Sequence, residues 1–123
     1  MEFKIVICGS RHFKNYKLLC KATGDTITLI RQRSPEAKII IVSGGARGAD
    51  TLGERFAAEH GFSVERFLAD WARFGRGAGP KRNAEMAAVA DLVIAFPIGK
   101  SPGTRNMIKQ AEKRGVEHVV IAT

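Results

Sequence analysis

Four short runs of aliphatic residues recur along the chain: Ile5-Val6-Ile7, Ile39-Ile40-Ile41-Val42, Leu92-Val93-Ile94-Ala95 and Val119-Val120-Ile121. None alternates with polar residues. A strand that is apolar at every position has to be covered on both faces, as happens inside a parallel sheet lying between layers of helix. With their flanks, the runs predict strands over Phe3–Cys8, Lys38–Ser43, Asp91–Phe96 and Glu117–Ala122. A fifth segment, Ser63–Phe67, does alternate and reads as an edge strand.

Helical patterns fill the intervals. Tyr16–Arg33 places Leu19, Thr23, Ile27 and Ile30 on one face, with Asn15 as its N-cap and Pro35 beyond its end, although Gly24 costs about 1 kcal/mol against Ala. Thr51–His60 stops at Gly61, Arg82–Ala90 follows Pro80, and Ser101-Pro102 open a last helix that ends before Gly115. The expected fold class is α/β: a three-layer, Rossmann-like doubly wound sheet, mostly parallel, of about five strands in the order 3-2-1-4-5. A chain of 123 residues with 45% hydrophobic content suits a single domain over residues 1–123.

Such sheets bind ligands beyond the carboxyl ends of their strands, where the strand order reverses. Four post-strand segments, 9–15, 43–50, 69–83 and 97–106, carry nine of the 13 glycines. They also carry nine basic residues (Arg11, Lys14, Arg47, Arg73, Arg76, Lys81, Arg82, Lys100 and Arg105) against two acids, Asp50 and Asp70. The remainder of the chain holds 11 basic and 10 acidic residues, so nearly all of the net charge of +8 falls on one rim. An anion-binding pole is implied, rather than a uniformly basic surface.

Ser43-Gly44-Gly45-Ala46-Arg47-Gly48-Ala49-Asp50 runs from strand into helix, the arrangement that offers backbone N–H groups and a helix N-terminus to a phosphate. It fits neither GxGxxG nor the P-loop; the plain alternative is a structural turn. Asp50 reads equally as a first-turn carboxylate favoured by the helix dipole or as an acceptor for a ribose hydroxyl. Gly9-Ser10-Arg11 ends the first strand with a hydroxyl donor and a guanidinium fork. Ala69-Asp70-Trp71, followed by Gly75, Gly77 and Gly79, reads as a mobile loop whose lone tryptophan either stacks on a base or caps the core edge. Lys81, Arg82 and Asn83 stand where a helix is expected to start, an unfavourable place for cations unless an anion sits there. Pro97, Gly103 and Thr104 belong to a second glycine-bearing turn suited to a phosphate or a ribose. His12, His60 and His118 are scattered and read as surface or core histidines.

These motifs in this order (Cys8–Arg11, Ser43–Asp50, Ala69–Trp71, Ala78–Asn83 with Met86, Ala95–Pro97 with Gly103-Thr104) resemble the DUF2493 (YspA-like) group of the SLOG superfamily. That superfamily includes the Lonely Guy phosphoribohydrolases and the DNA-processing protein A fold. The resemblance spans nearly the whole chain. It implies a Rossmann-like domain for nucleotides or nucleotide-derived signals, and pairing of copies through helical faces to form a homodimer. Arg82 matches the arginine of the phosphoribohydrolase Arg-Lys pair, with Asn83 in place of the lysine, while Met107 stands where the catalytic glutamate would be. A thioether neither activates water nor stabilises oxocarbenium charge. If cleavage occurs, Arg82 and Asp50 are the catalytic candidates.

The ligand expected is therefore a small phosphorylated nucleotide or ADP-ribose-type molecule, bound by Gly9, Ser10, Arg11, Ser43, Gly44, Gly45, Ala46, Arg47, Gly48, Asp50, Asp70, Trp71, Lys81, Arg82, Asn83, Pro97, Gly103 and Thr104. No required cofactor and no metal site is expected, since Cys8 and Cys20 form neither CxxC nor Cys/His spacing. Single-stranded nucleic acid is a weaker partner, because the rim offers only Phe13, Trp71 and Phe74 for stacking. With no long apolar run and no signal-like N-terminus, no membrane association and a cytoplasmic location are expected.

Overall fold

The computed structural model describes all 123 residues. Strand β1 (Glu2–Gly9) leads through helix α1 (Tyr16–Arg33) to β2 (Lys38–Ser43), and α2 (Ala49–His60) returns the chain to β3 (Ser63–Arg66). A short helix α3 (Trp71–Phe74) and a 3-10 turn (Gly75–Gly77) run into α4 (Ala78–Val89), followed by β4 (Leu92–Phe96), α5 (Pro102–Lys113) and β5 (Glu117–Val120). The sheet order is β3-β2-β1-β4-β5, and all four pairings are parallel. The expected order and fold class are thus observed, with no antiparallel member.

Burial explains the unbroken apolar runs. In β1, Ile5 and Ile7 face one helical layer while Val6 and Cys8 face the other. The same split divides Leu92, Ile94 and Phe96 from Val93 and Ala95 in β4. Leu19 and Ile27 of α1 and Phe56 of α2 cover the first face; Met86 of α4 and Met107 of α5 cover the second. Each fully buried side chain of this size contributes roughly 1.5–3 kcal/mol, so the central strands hold the molecule together.

Three expectations are corrected. β5 was expected to be covered on both faces like the central strands. As the terminal strand of the expected order it lies at the edge, and its coverage is incomplete, with Val119 38% and Val120 49% exposed. The glycine-rich segment after Trp71 was expected to be a mobile loop, yet it is helical almost throughout. Finally, α4 begins at Ala78 rather than Arg82. Pro80 is tolerated because it lies in the first helical turn, where N–H groups have no intrahelical partner. Lys81 and Arg82 therefore lie in the second turn, and the dipole argument for an anion at that point lapses.

Candidate functional site

The order reversal between β1 and β4 opens a cleft of about 600 Å³ at their carboxyl ends. Its walls come from Cys8–His12 after β1, from Ala46 and Asp50 after β2, from Trp71 of α3, and from Arg82, Asn83 and Met86 of α4. Ile98, Lys100–Thr104 and Met107 complete it from the α5 side. Met86 and Met107 form an apolar floor. Cys8 lies there as well, its thiol pushed far up by burial, so it is a neutral wall rather than a nucleophile.

The Ser43–Asp50 turn is folded around its own side chains. Asp50 Oδ2 accepts the N–H groups of Gly44 (3.2 Å) and Ala46 (3.4 Å), and Ser43 Oγ accepts that of Gly45 (3.0 Å). Ser43 Oγ in turn donates to Glu54 at 2.7 Å. Three N–H groups expected to cradle a phosphate are thereby committed. Those of Arg47 and Gly48 find no acceptor in the protein. Gly48, at φ +80°, is indispensable here, because a Cβ would overlap the Ser10 carbonyl and the Arg11 backbone. Asp50 is buried, yet its Oδ1 accepts nothing from the protein, and it is the sole carboxylate lining the cleft. Burial raises its pKa to about 6 against the opposing pull of the Ala46 N–H, the Arg82 charge and the Gly44 N–H.

Arg82 crosses the cleft toward this turn. Its Nη1 donates to the Gly44 carbonyl at 2.7 Å and its Nε to Asn83 Oδ1 at 3.0 Å. Asn83 is buried and donates to the Gly103 carbonyl (3.3 Å) and to Asn106 Oδ1 (3.0 Å). Asn83 thus orients Arg82 and ties α4 to the start of α5.

The second glycine-bearing turn is built differently. Ser101, at φ +35°, precedes α5 but leaves its N-terminus without a side-chain cap. Its hydroxyl pairs instead with buried Thr104 Oγ1 at 2.6 Å. One hydroxyl hydrogen of that pair and the N–H groups of Gly103 and Thr104 remain unclaimed beside Lys100. Ser10 is similar: its Oγ accepts the His12 N–H at 3.1 Å, and its own proton has no acceptor. Unclaimed donors from two segments, after β1 and after β4, thus line the same cleft. Trp71, 60% exposed, stands at the mouth. Of the nine rim cations only Lys81 has a carboxylate within 4.0 Å, Glu85 at 3.8 Å.

The structure therefore brings together Gly9, Ser10, Arg11, Ala46, Asp50, Trp71, Arg82, Asn83, Gly103 and Thr104 around one cleft. Ser43, Gly44, Gly45, Arg47, Gly48 and Pro97 lie outside its lining and shape the turns behind it. Asp70 caps α3 by accepting the Arg73 N–H at 3.1 Å, and with Lys81 it faces a neighbouring hollow. His12, Lys100 and Ser101 were not singled out from the sequence as binding residues, although each adjoins a motif that was.

A sequence profile of the YspA, cpYpsA-related SLOG family matches residues 3–74. The chain belongs to that family. Among curated proteins, this SLOG chain is 40% identical over 119 residues to the Gene 61 protein of Mycobacterium phage D29, covering 92% of this chain and 91% of that protein. Among solved structures, it superposes on DNA processing protein A (DprA) from Streptococcus pneumoniae with a TM-score of 0.73 at 18% identity. All of this chain is covered, but only 51% of DprA, so it spans about half of that protein. The superposition establishes the shared fold. No helix of the chain is long and apolar enough to cross a membrane.

Proposed function

We propose that this SLOG domain binds a nucleotide in the β1/β4 cleft, with its phosphate at the start of α5 and its base toward Trp71. The observation that carries this reading is the set of unclaimed donors that line one cleft: the Ser10 and Ser101/Thr104 hydroxyls, the Gly103 and Thr104 N–H groups and the Lys100 ammonium. A helix N-terminus with hydroxyls and a free cation beside it suits a phosphate. Asp50 Oδ1 is placed to accept a ribose hydroxyl. Titration calorimetry against nucleoside mono-, di- and triphosphates, cyclic dinucleotides and ADP-ribose tests it. Micromolar binding of one of them is expected, and nothing tighter than millimolar would sink it.

One observation favours a second reading. Asp50, with its pKa raised to about 6 and one oxygen free in the cleft, has the character of an acid or base for N-glycosidic cleavage. Free base released from a nucleoside monophosphate, and abolished in Asp50→Asn, would establish it. Against it, Met107 puts a thioether on the floor of the cleft, so that position supplies no carboxylate. The printed name of the structural neighbour refers to DNA, but Phe13 is buried against Phe96 (ring centroids 4.9 Å apart), leaving Trp71 and Phe74 as the rim's exposed aromatics. That favours a small ligand over a strand of stacked bases.

A further inference from the structure

We propose that the site continues past Arg82 into a second subsite, and that the ligand class is a phosphodiester-linked dinucleotide rather than a mononucleotide. This rests on the nucleotide reading above. Beside the main cleft lies a hollow of about 240 Å³, and Arg82 lines both. Two of the Arg82 nitrogens are held by Asn83 and Gly44; the third, Nη2, has no partner. The cation on the boundary is thus oriented from behind and still has donors to offer.

The hollow has its own recognition chemistry. Helix α3 is a saddle between the two compartments: Trp71 lines the first, and Phe74, three residues on, lines the second. Phe74 and Leu68 are both exposed there, at 39% and 71%. Two cations lie over the Phe74 ring, the Arg73 guanidinium carbon at 5.0 Å and Lys81 Nζ at 5.2 Å from its centroid. The two acids of the hollow do not cancel them. Asp70 is occupied in capping α3, and Glu85 is a half-exposed partner 3.8 Å from Lys81 alone. Apolar surface bordered by two cations suits a phosphoryl group attached to a flat, apolar unit. The main cleft, at about 600 Å³, is already in the range of a whole small-molecule site (roughly 300–1,000 Å³). What fills the second hollow is therefore a second unit, with the linking phosphate at Arg82.

The experiment compares the four nucleoside 5′-monophosphates with the four 5′-phosphorylated homodinucleotides and the matching tetranucleotides by calorimetry. At least one dinucleotide should bind ten-fold or more tightly than its mononucleotide. The double variant Arg73→Ala/Lys81→Ala should bring that dinucleotide to within about two-fold of its mononucleotide, whose own affinity stays unchanged. Both side chains are exposed, so an unaltered melting temperature is expected. Phe74→Ala should lose several-fold for the dinucleotide alone. Equal affinity for one unit and two would overturn the second subsite and leave the single-nucleotide reading standing. Affinity still rising from dinucleotide to tetranucleotide, with a steep salt dependence, would overturn it in favour of a strand binder. No binding by any of them would overturn the second subsite, and the nucleotide reading falls with it only if the wider panel of di- and triphosphates, cyclic dinucleotides and ADP-ribose also fails to bind.

Discussion

The turns after β2 and after β4 contain the same ingredients, glycines between a buried strand and a helix, and they are built to opposite ends. After β2, the chain closes largely on itself: Asp50 and Ser43 take up the N–H groups of Gly44, Gly45 and Ala46, and the two left without an acceptor, on Arg47 and Gly48, belong to residues outside the cleft lining. After β4, Ser101 and Thr104 satisfy each other, and the backbone donors beside them stay open. Glycine content reports that a backbone turns sharply. Whether it also receives a ligand depends on where the neighbouring carboxylates and hydroxyls go. On the proposed reading the β2 turn is scaffold that presents one carboxylate oxygen, and the β4 turn is receptor.

Substitutions can break or sharpen that contrast. The largest effect is expected at Gly48, where a side chain meets both the positive φ and the Ser10 carbonyl. Gly48→Ala should lose roughly 4 kcal/mol of stability in urea unfolding, whereas Gly103→Ala, within α5 and with open space around it, should be neutral or gain up to ~1 kcal/mol. Similar losses at both positions would erase the distinction.

Next comes a pH effect confined to the closed turn. The Asp50 pKa stands above its ordinary 3.8, at about 6, in the folded state. The folded protein therefore holds its proton more tightly than the unfolded chain. That contribution to stability is fully present below pH ~4 and is lost as pH rises toward 6, to the extent of on the order of 3 kcal/mol. The stability of wild type relative to Asp50→Asn should fall by that amount between pH 4 and pH 7. A pH-independent difference would show that the carboxyl is not so desolvated.

Smaller effects belong to the open turn. Thr104→Val should weaken nucleotide binding about ten-fold, near 1.4 kcal/mol, while the melting temperature hardly moves. Smallest of all, Lys100→Ala should cost a few-fold in affinity at low salt and almost nothing at high salt, and Arg47→Ala, outside the cleft, less than two-fold. An Arg47 effect equal to that of Lys100 would turn the β2 turn back into a receptor.

Much of the scaffold was legible in the sequence because it depends on local pattern. Apolar runs such as Ile39–Val42 report burial on both faces, and Asn15 caps α1 as its position suggests, accepting the Leu18 N–H at 3.1 Å. The strand order was an expectation from the doubly wound fold class, not from any single run, and it is the one observed. What was not legible depends on neighbours distant in sequence. Val119-Val120-Ile121 looks like Ile5-Val6-Ile7, and although the expected order already put it at the edge, nothing in the run shows that its faces are only partly covered. Gly75, Gly77 and Gly79 signal a loop, yet a 3-10 turn feeding a helix with Pro80 in its first turn accommodates all three. The candidate site divides similarly. Its residues were marked by glycine and charge, but the Asp50 side chain turning back onto Gly44 and Ala46 is a three-dimensional fact that no spacing encodes.

Asn83 has a mechanical consequence. Its amide grips the Gly103 carbonyl with one end and the Arg82 guanidinium with the other, and Arg82 reaches on to the Gly44 carbonyl. The two banks of the cleft are thus laced by three hydrogen bonds in series through two consecutive residues. A load applied at the start of α5 is delivered to the turn after β2 along that tether. The spacing of the banks thus depends on a chain of polar links as well as on the apolar packing of Met86 and Met107 beneath it.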